Sequence, residues 1–198
     1  LIPFDYGVAP YSLDSGAPEP DYPTLSGSDG ARHQLGTDVY LGQCVDSDLG
    51  DTALDADSDD STPSNPHWGE CTDPSNDEDG VVFDTLRVGV QDINVTVTAN
   101  KACQLNAWID WEGDGSWTGV TEQVFTDEQL VEGVNNLTVS VPTLAKAGET
   151  YARFRCSTEG GDEITGEAAD GEVEDYKVAI EPAIPAVPLS VGNYVWLD

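Results

Sequence analysis

Basic residues are the scarcest commodity in this 198-residue chain: 7 Lys and Arg stand against 38 Asp and Glu, a formal net charge of −31. No Lys or Arg occurs between Arg32 and Arg87. Without a basic patch to neutralise phosphates, neither nucleic acid nor an anionic membrane surface is an expected partner. No apolar run approaches the roughly 20 residues needed to span a bilayer, so membrane insertion is not expected either. The four cysteines form no C-x-x-C pair, which argues against a zinc knuckle or a dithiol redox site. His33 and His67 have no Ser or Cys at suggestive spacing. Asp14-Ser15-Gly16 has the form of an aspartic-protease signature but no second copy. A carboxylate-based hydrolase would need an acid raised in pKa within an apolar cleft, whereas these acids lie in polar, Gly-rich stretches. No enzymatic activity is expected. The chain also opens at Leu1 with neither Met nor a signal peptide, as a processed or excised piece of a longer protein would.

What is abundant is aspartate, and it is clustered. Seven fall between Asp46 and Asp60, and the run closes at Asp77-Glu78-Asp79-Gly80. Two carboxylates about 5 Å apart repel by roughly 3 kcal/mol at an effective dielectric near 20. A fold that gathers several without local cations must bind metal, or leave the segment loose in solvent. Halophilic adaptation would spread acids over the whole surface instead.

From Val81 onward the texture is all-β. Ile93, Val95 and Val97 alternate with polar residues, as in a half-buried strand. Cys103, Leu105, Ala107 and Ile109 share one face of a second strand; Leu137, Val139 and Val141 make a third. Ala152, Phe154 and Cys156 oppose Arg153 and Arg155 in a fourth, and Tyr176, Val178 and Ile180 point inward from a fifth. Thr126 to Val131 and Thr143 to Ala147 hint at a turn or two of helix. Residues 1–35 read as mostly irregular, and Thr37 to Leu41 as a short strand. Such a pattern predicts an antiparallel two-sheet β-sandwich with long, irregular, acidic loops. Cys103 and Cys156 both lie on apolar faces, so a bond between them belongs in the core. Cys44 and Cys71 would then close a loop around the acidic run, giving two disulfides and an oxidising compartment. Residues 181–190, with Pro182, Pro185 and Pro188, read as a stiff linker. Residues 191–198 read as one further strand, belonging to a next module or donated to a neighbour.

A second acidic feature is Asp110-Trp111-Glu112-Gly113-Asp114-Gly115. Acids at relative positions 1, 3 and 5 followed by Gly match the first half of an oxygen-lined calcium loop. Position 12 is Thr121, and Glu122 follows one residue late; the plain alternative is a hairpin turn at Asp114-Gly115. Trp108, Trp111 and Trp117 read either as a sugar-stacking platform or as core and cover for that loop. Asn94-Val95-Thr96 and Asn136-Leu137-Thr138 have the form of glycosylation sequons.

The third acidic feature, Gly171-Glu172-Val173-Glu174-Asp175, resembles the motif of the GEVED domain. The likeness extends to Phe4-Asp5-Tyr6-Gly7 with Ala9-Pro10, Ala31-Arg32-His33, Tyr40-Leu41-Gly42 and Val45-Asp46. It continues through Asp77-Glu78-Asp79-Gly80-Val81 and Trp108-Ile109-Asp110-Trp111 with Gly113-Asp114-Gly115, and covers residues 4 to 180. Val8 stands where that family usually has Asp, and Glu112 where Asn is common. Residues 191–198 resemble the first strand of the B-type repeats of surface adhesins. The resemblance implies a binding or structural module of large secreted and cell-surface bacterial proteins, with no catalytic chemistry.

The residues and the resemblance together lead to a specific expectation. It is a secreted or cell-surface calcium-stabilised module of an adhesin or extracellular fibre, partnered by other modules, by copies of itself, or by a surface ligand or glycan. Asp46, Asp48, Asp57, Asp59, Asp77 and Asp79 are the expected ligands of one site, with Asp5 and Glu78 nearby. Asp110, Glu112, Asp114 and Glu122 are those of a second, and Glu172 and Glu174 are next in line. Hard carboxylate oxygens without thiolate or imidazole favour Ca2+. The alternative is a carbohydrate-binding module using exposed tryptophans.

Overall fold

The computed structural model describes residues 3–11, 22–24, 26–36, 39–47, 67–70 and 77–185. In chain order its strands are β1 (Phe4–Tyr6), β2 (Arg32–Gln34), β3 (Cys44–Asp46), β4 (His67–Gly69), β5 (Val81–Phe83), β6 (Leu86–Arg87) and β7 (Ile93–Ala99). They continue with β8 (Cys103–Ile109), β9 (Gln123–Leu130), β10 (Gly133–Val139), β11 (Gly148–Ser157), β12 (Glu167–Ala168) and β13 (Glu172–Glu181). The described residues contain no α-helix, only a 3-10 turn at Ser26–Ser28.

Two larger sheets carry the core. One has the order β6-β13-β11-β8-β9, the other β10-β7-β5. The alternating residues of the sequence supply their facing sides: Val95 and Val97 from one sheet meet Leu105, Ile109, Ala152, Phe154, Val178 and Ile180 from the other in a single buried cluster. Fully burying a side chain of this kind contributes about 1.5–3 kcal/mol. Phe83, Phe154 and Tyr176 add edge-on aromatic contacts, with ring centroids 5.6–6.1 Å apart. The expected core disulfide, Cys103–Cys156, is present, and both cysteines are buried. The second expected pairing involves Cys71, which lies outside the described residues.

The architecture departs from a plain antiparallel sandwich in one important respect. A further three-stranded sheet, β1-β2-β12, brings β1 and β2 against β13, and β3 and β4 form a small ladder of their own. Two pairings, β12 with β2 and β13 with β6, are parallel. The extra sheet explains the burial along β13: Glu172 to Asp175 are buried on both faces, whereas Lys177, Ala179 and Glu181 are exposed in alternation with Val178 and Ile180. Residues 4–6 and 32–34 therefore form strands where the sequence reads as irregular; three residues are too few to display a period. Leu41 makes only an isolated bridge to Ala99 rather than a strand.

Both helical hints are overturned. Thr126 to Val131 lies largely within β9, whose exposed run at Thr126–Gln129 is polar because it edges the sheet. Thr143 to Ala147 follows Pro142, whose carbonyl accepts from Ala145 in a turn. Glu181 ends β13, residues 182–185 are without strand, and 186–198 lie outside the described residues.

The disulfide spans a sequence separation of 53, and in the chain-entropy picture such a loop stabilises by about 4 kcal/mol. Denaturant unfolding in the presence of reductant should therefore show a midpoint clearly below that of the oxidised protein. Equal midpoints would remove the disulfide from the account of stability.

Candidate metal centre

The GEVED motif is placed by β13, and each of its acids accepts from backbone elsewhere in the chain. Glu172 Oε2 accepts from Leu41 N at 2.5 Å. Glu174 Oε1 accepts from Gly80 N at 2.9 Å and Asp79 N at 3.1 Å, while Tyr176 donates its hydroxyl to Oε2. Asp175, on the opposite side of the strand, accepts from Ala9 N at 2.8 Å and is gripped by Arg153 through Nε at 2.8 Å and Nη2 at 2.6 Å. Asp5 returns the arrangement, accepting from Val173 N at 2.6 Å. The motif's glycine has φ +95°, and a Cβ there would collide with the Cys156 carbonyl, so Gly171 is required by both conformation and space. These acids form a clasp that binds residues 5–9, 41 and 79–80 to the main sheet.

Burial has electrostatic consequences. Desolvation, reinforced by neighbouring Glu174, Asp5 and Asp77, raises Glu172 well above the usual carboxylate range. Glu174 is pushed up to about 8, again chiefly by desolvation; the Gly80 amide and Tyr176 hydroxyl oppose the rise, and Asp79 and Asp77 add to it. Asp77 and Asp79 are half-buried and hold backbone too, accepting from Asp46 N and Gln43 N at 2.8 Å each. Asp48, Asp57 and Asp59 lie outside the described residues.

The second acidic loop differs in kind. Asp110 directly follows β8 and is fully buried: Oδ1 accepts from Gly113 N at 2.6 Å, and Oδ2 from Gly115 N at 3.0 Å and the Tyr22 hydroxyl at 2.6 Å. Glu122 stands just before β9, 1% exposed. Its Oε2 accepts from Gly119 N at 2.7 Å, an approach so close that a Cβ at Gly119 would strike the carboxyl. Its Oε1 is buried with no hydrogen-bond partner. Desolvation raises Glu122 to about 7; the Gly119 and Glu112 amides pull it down, and Asp110 and Asp114 push it further up. Carboxylate oxygens of Asp110, Asp114 and Glu122 lie within 4.8 Å of one another, and among the described residues this is the one such group of three. Glu112 is exposed and outside it. The trio passes a simple fit test: two ligands on one Ca2+ at about 2.3–2.6 Å lie within roughly 5 Å of each other, and one of the three residues carries a buried oxygen without a partner.

The tryptophans flank this loop as cover rather than as a platform. Trp108, Trp111 and Trp117 are 2–3% exposed. Trp111 Nε1 donates to Thr121 O, and Trp117 Nε1 to Tyr151 O. Tyr22 stacks on Trp117 at 4.2 Å, with the Arg153 guanidinium 4.5 Å from the same ring. The sugar-binding row expected of exposed tryptophans at these positions is therefore absent.

Sequence reasoning missed the role of Arg153, Arg155 and His33. Arg155 is buried, donating to carbonyls of Glu163, Thr165 and Gly166 and to His33 Nε2 at 3.0 Å. Burial lowers Arg155 to about 10. Burial and the two arginines hold His33 well below the usual imidazole range, and its Nδ1–H donates to Asp170 O at 2.7 Å. The available signal was two Arg alternating with Phe154 and Cys156 in a chain with so few bases.

The fold and site define an all-β, disulfide-bonded domain fastened by its own acids. Residues 104–179 match the family model of the GEVED domain, a domain of extracellular proteins. No curated protein and no solved structure matches the chain. The match begins in β8 and ends in β13, leaving the clasped segments at residues 5–9, 41 and 79–80 outside it.

Two outcomes are expected. Glu174 has its folded pKa raised, so its stabilisation is fully present below about pH 4.5 and is lost as pH rises through about 8. The metal-free protein should melt higher at pH 5 than at pH 8.5, and Glu174→Gln should flatten that slope; an unchanged slope would clear Glu174 of the effect. Asp175→Ala should destabilise by about 3–5 kcal/mol in urea unfolding, because it leaves the Arg153 charge buried and unpaired.

Proposed function

We propose that this is a non-catalytic, calcium-binding structural module of an extracellular or cell-surface protein, with the ion held by Asp110, Asp114 and Glu122. The observation that carries this reading is Glu122 Oε1, buried and unpartnered beside two further carboxylates. A cation supplies the missing partner and converts three mutual repulsions into attractions. The donor set is all hard oxygen, without His or Cys, which suits Ca2+ rather than zinc or copper. Backbone carbonyls and water complete the shell, and exposed Glu112 strengthens the field at the rim. The acidic run is the second site of this proposal, with Asp46, Asp77 and Asp79 at its described end.

The ion's mechanical effect follows from where its ligands sit. Asp110 directly follows β8, Asp114 lies in the connection, Glu122 directly precedes β9, and Asp110 accepts from the Tyr22 hydroxyl. One ion thus ties the β8–β9 connection to the segment that covers the outer face of the sheet. That suits a module loaded in series within an adhesin or fibre, partnered by other modules of its chain, by copies of itself or by a surface ligand. Catalysis has little support: Glu172 and Glu174 have raised pKa values, yet both are fully buried and hydrogen-bonded to backbone.

Calorimetric melting with and without calcium, alongside direct titration, tests the reading. At free calcium about 100-fold above Kd the fold gains about 2.7 kcal/mol, a rise of roughly 5–10 °C for a chain of this size. Asp114→Asn, at an exposed position, should keep the fold and raise Kd by roughly tenfold or more. No binding heat and an unshifted melt after exhaustive chelation would overturn the proposal.

A further inference from the structure

The outward face of the β10-β7-β5 sheet is unlike the rest of the molecule. In a chain of net charge −31 it carries Asn94, Thr96 and Thr98 from β7 beside Val134, Asn136 and Thr138 from β10, all uncharged. One exposed acid, Asp84, borders this face, its amide donating to Asn94 O just past β5, while Asp92 and Glu132 immediately precede β7 and β10. β10 is also an edge strand, and from Gly133 to Val139 it has no charge and no proline. Edges of this kind invite pairing with another chain unless something blocks them.

Both Asn-x-Thr sequons of the chain lie on this one face. Side chains two apart on a strand point the same way, so each sequon presents its amide and its hydroxyl together. The register sets Asn136 opposite Thr96 and Asn94 opposite Thr138. The two asparagines are nevertheless not equivalent. Asn94 lies in the central strand, half-buried, with its Nδ2 donated to Thr96 Oγ1 at 3.1 Å. Asn136 is exposed on the edge strand and receives only a long contact, 3.4 Å, from Thr96 Oγ1 to its Oδ1. Its Nδ2 is left for chemistry. The buried Cys103–Cys156 bond belongs to an oxidising compartment, where such a site would meet its modifying enzyme.

We propose that Asn136 is an N-glycosylation site, and that its glycan shields the uncharged face and the open β10 edge. The co-reactant is a lipid-linked oligosaccharide activated as a polyprenyl phosphate or diphosphate. Asn136 Nδ2 attacks the anomeric carbon; the N–C bond forms as the C–O bond to phosphate breaks. The lipid phosphate leaves with the electron pair, and Nδ2 gives up one proton. Thr138 supplies the hydroxyl that the transferase reads two residues on. The proposal shares the extracellular location with the reading above but not its ion site.

Mass spectrometry of the protein purified from the cell that makes it provides the test. After reduction, trypsin separates the sequons: cleavage at Arg87, Lys101 and Lys146 puts Asn94 in residues 88–101 and Asn136 in residues 102–146. The expected result, by electron-transfer fragmentation, is a sugar mass on Asn136 and a bare Asn94. Thr138→Ala should abolish it and Thr138→Ser preserve it, each with unchanged circular dichroism. A bare Asn136, a sugar on Asn94 alone, or a modification that survives Thr138→Ala would overturn the proposal. Calcium binding by a protein with bare Asn136 would sink only this inference; a glycopeptide beside a silent calcium titration would sink only the other.

Discussion

Everything in this structure depends on how a chain with so few cations disposes of the carboxylates it buries. Removing a carboxylate from water costs several kcal/mol unless something replaces its hydration. Lys and Arg are the usual replacement, and here there are too few. The chain uses its own backbone instead: amides of Leu41, Asp79, Gly80, Ala9 and Val173 point at Glu172, Glu174, Asp175 and Asp5. An amide is neutral, so it offsets desolvation through a charge-assisted bond without needing a counter-ion. At Glu174 the offset is incomplete, and the carboxyl keeps its proton to a pH where an exposed glutamate would long have lost it. Protonation and backbone donation are complementary answers to the same shortage.

The few bases are deployed accordingly. Two of them, Arg153 and Arg155, are interior rather than superficial. Arg153 joins Asp175 through both ends of its fork and sends its remaining nitrogen to the carbonyls of Pro23 and Ile164. Arg155 makes no close ion pair, its nearest carboxylate being Asp162 at 4.0 Å. It gathers loop carbonyls from 163 to 166 instead. A guanidinium with five donors can do this, and a lysine ammonium cannot. Neutral His33 then serves as an acceptor for Arg155, its tautomer fixed by the Asp170 carbonyl. The outer face of the sheet is therefore polar and yet fully packed.

How much of this was legible follows from the range of the interactions concerned. Alternation at Ile93–Val97, Cys103–Ile109 and Ala152–Cys156 identified the core strands, because strand period is local and each run is long enough to repeat. Cysteine parity put Cys103 and Cys156 on facing apolar sides for the same reason. Strand alternation by itself places Glu172 and Glu174 on one face and Asp175 on the other. It could not show that all three are buried, since the cover comes from residues 4–9, 22–24 and 32–34, more than a hundred positions away. For the same reason the sequence left Trp108 and Trp117 open between platform and cover, and burial by distant segments decides for cover. Thr126–Val131 failed differently: a polar run on an edge strand has no apolar period to reveal it.

The acids at the described end of the run after Asp46 and those of the loop after Asp110 are engaged in different ways. Asp77, Asp79 and Glu174 sit close together, but the oxygens bonded there hold amides of Asp46, Gln43, Asp79 and Gly80. A carboxylate engaged in that way fastens the chain whether or not an ion also shares it. Glu122 has only half that satisfaction: Gly119 answers one oxygen, while the other is buried without a hydrogen-bond partner in a residue grouped with Asp110 and Asp114. No rotation into solvent is open to a side chain with 1% exposure. What marks the Asp110 loop among the described residues is an unanswered oxygen on one member of a trio of carboxylates gathered within 4.8 Å. Such an oxygen depends on where amides fall in the folded chain, and so it is visible in the structure and never in the composition.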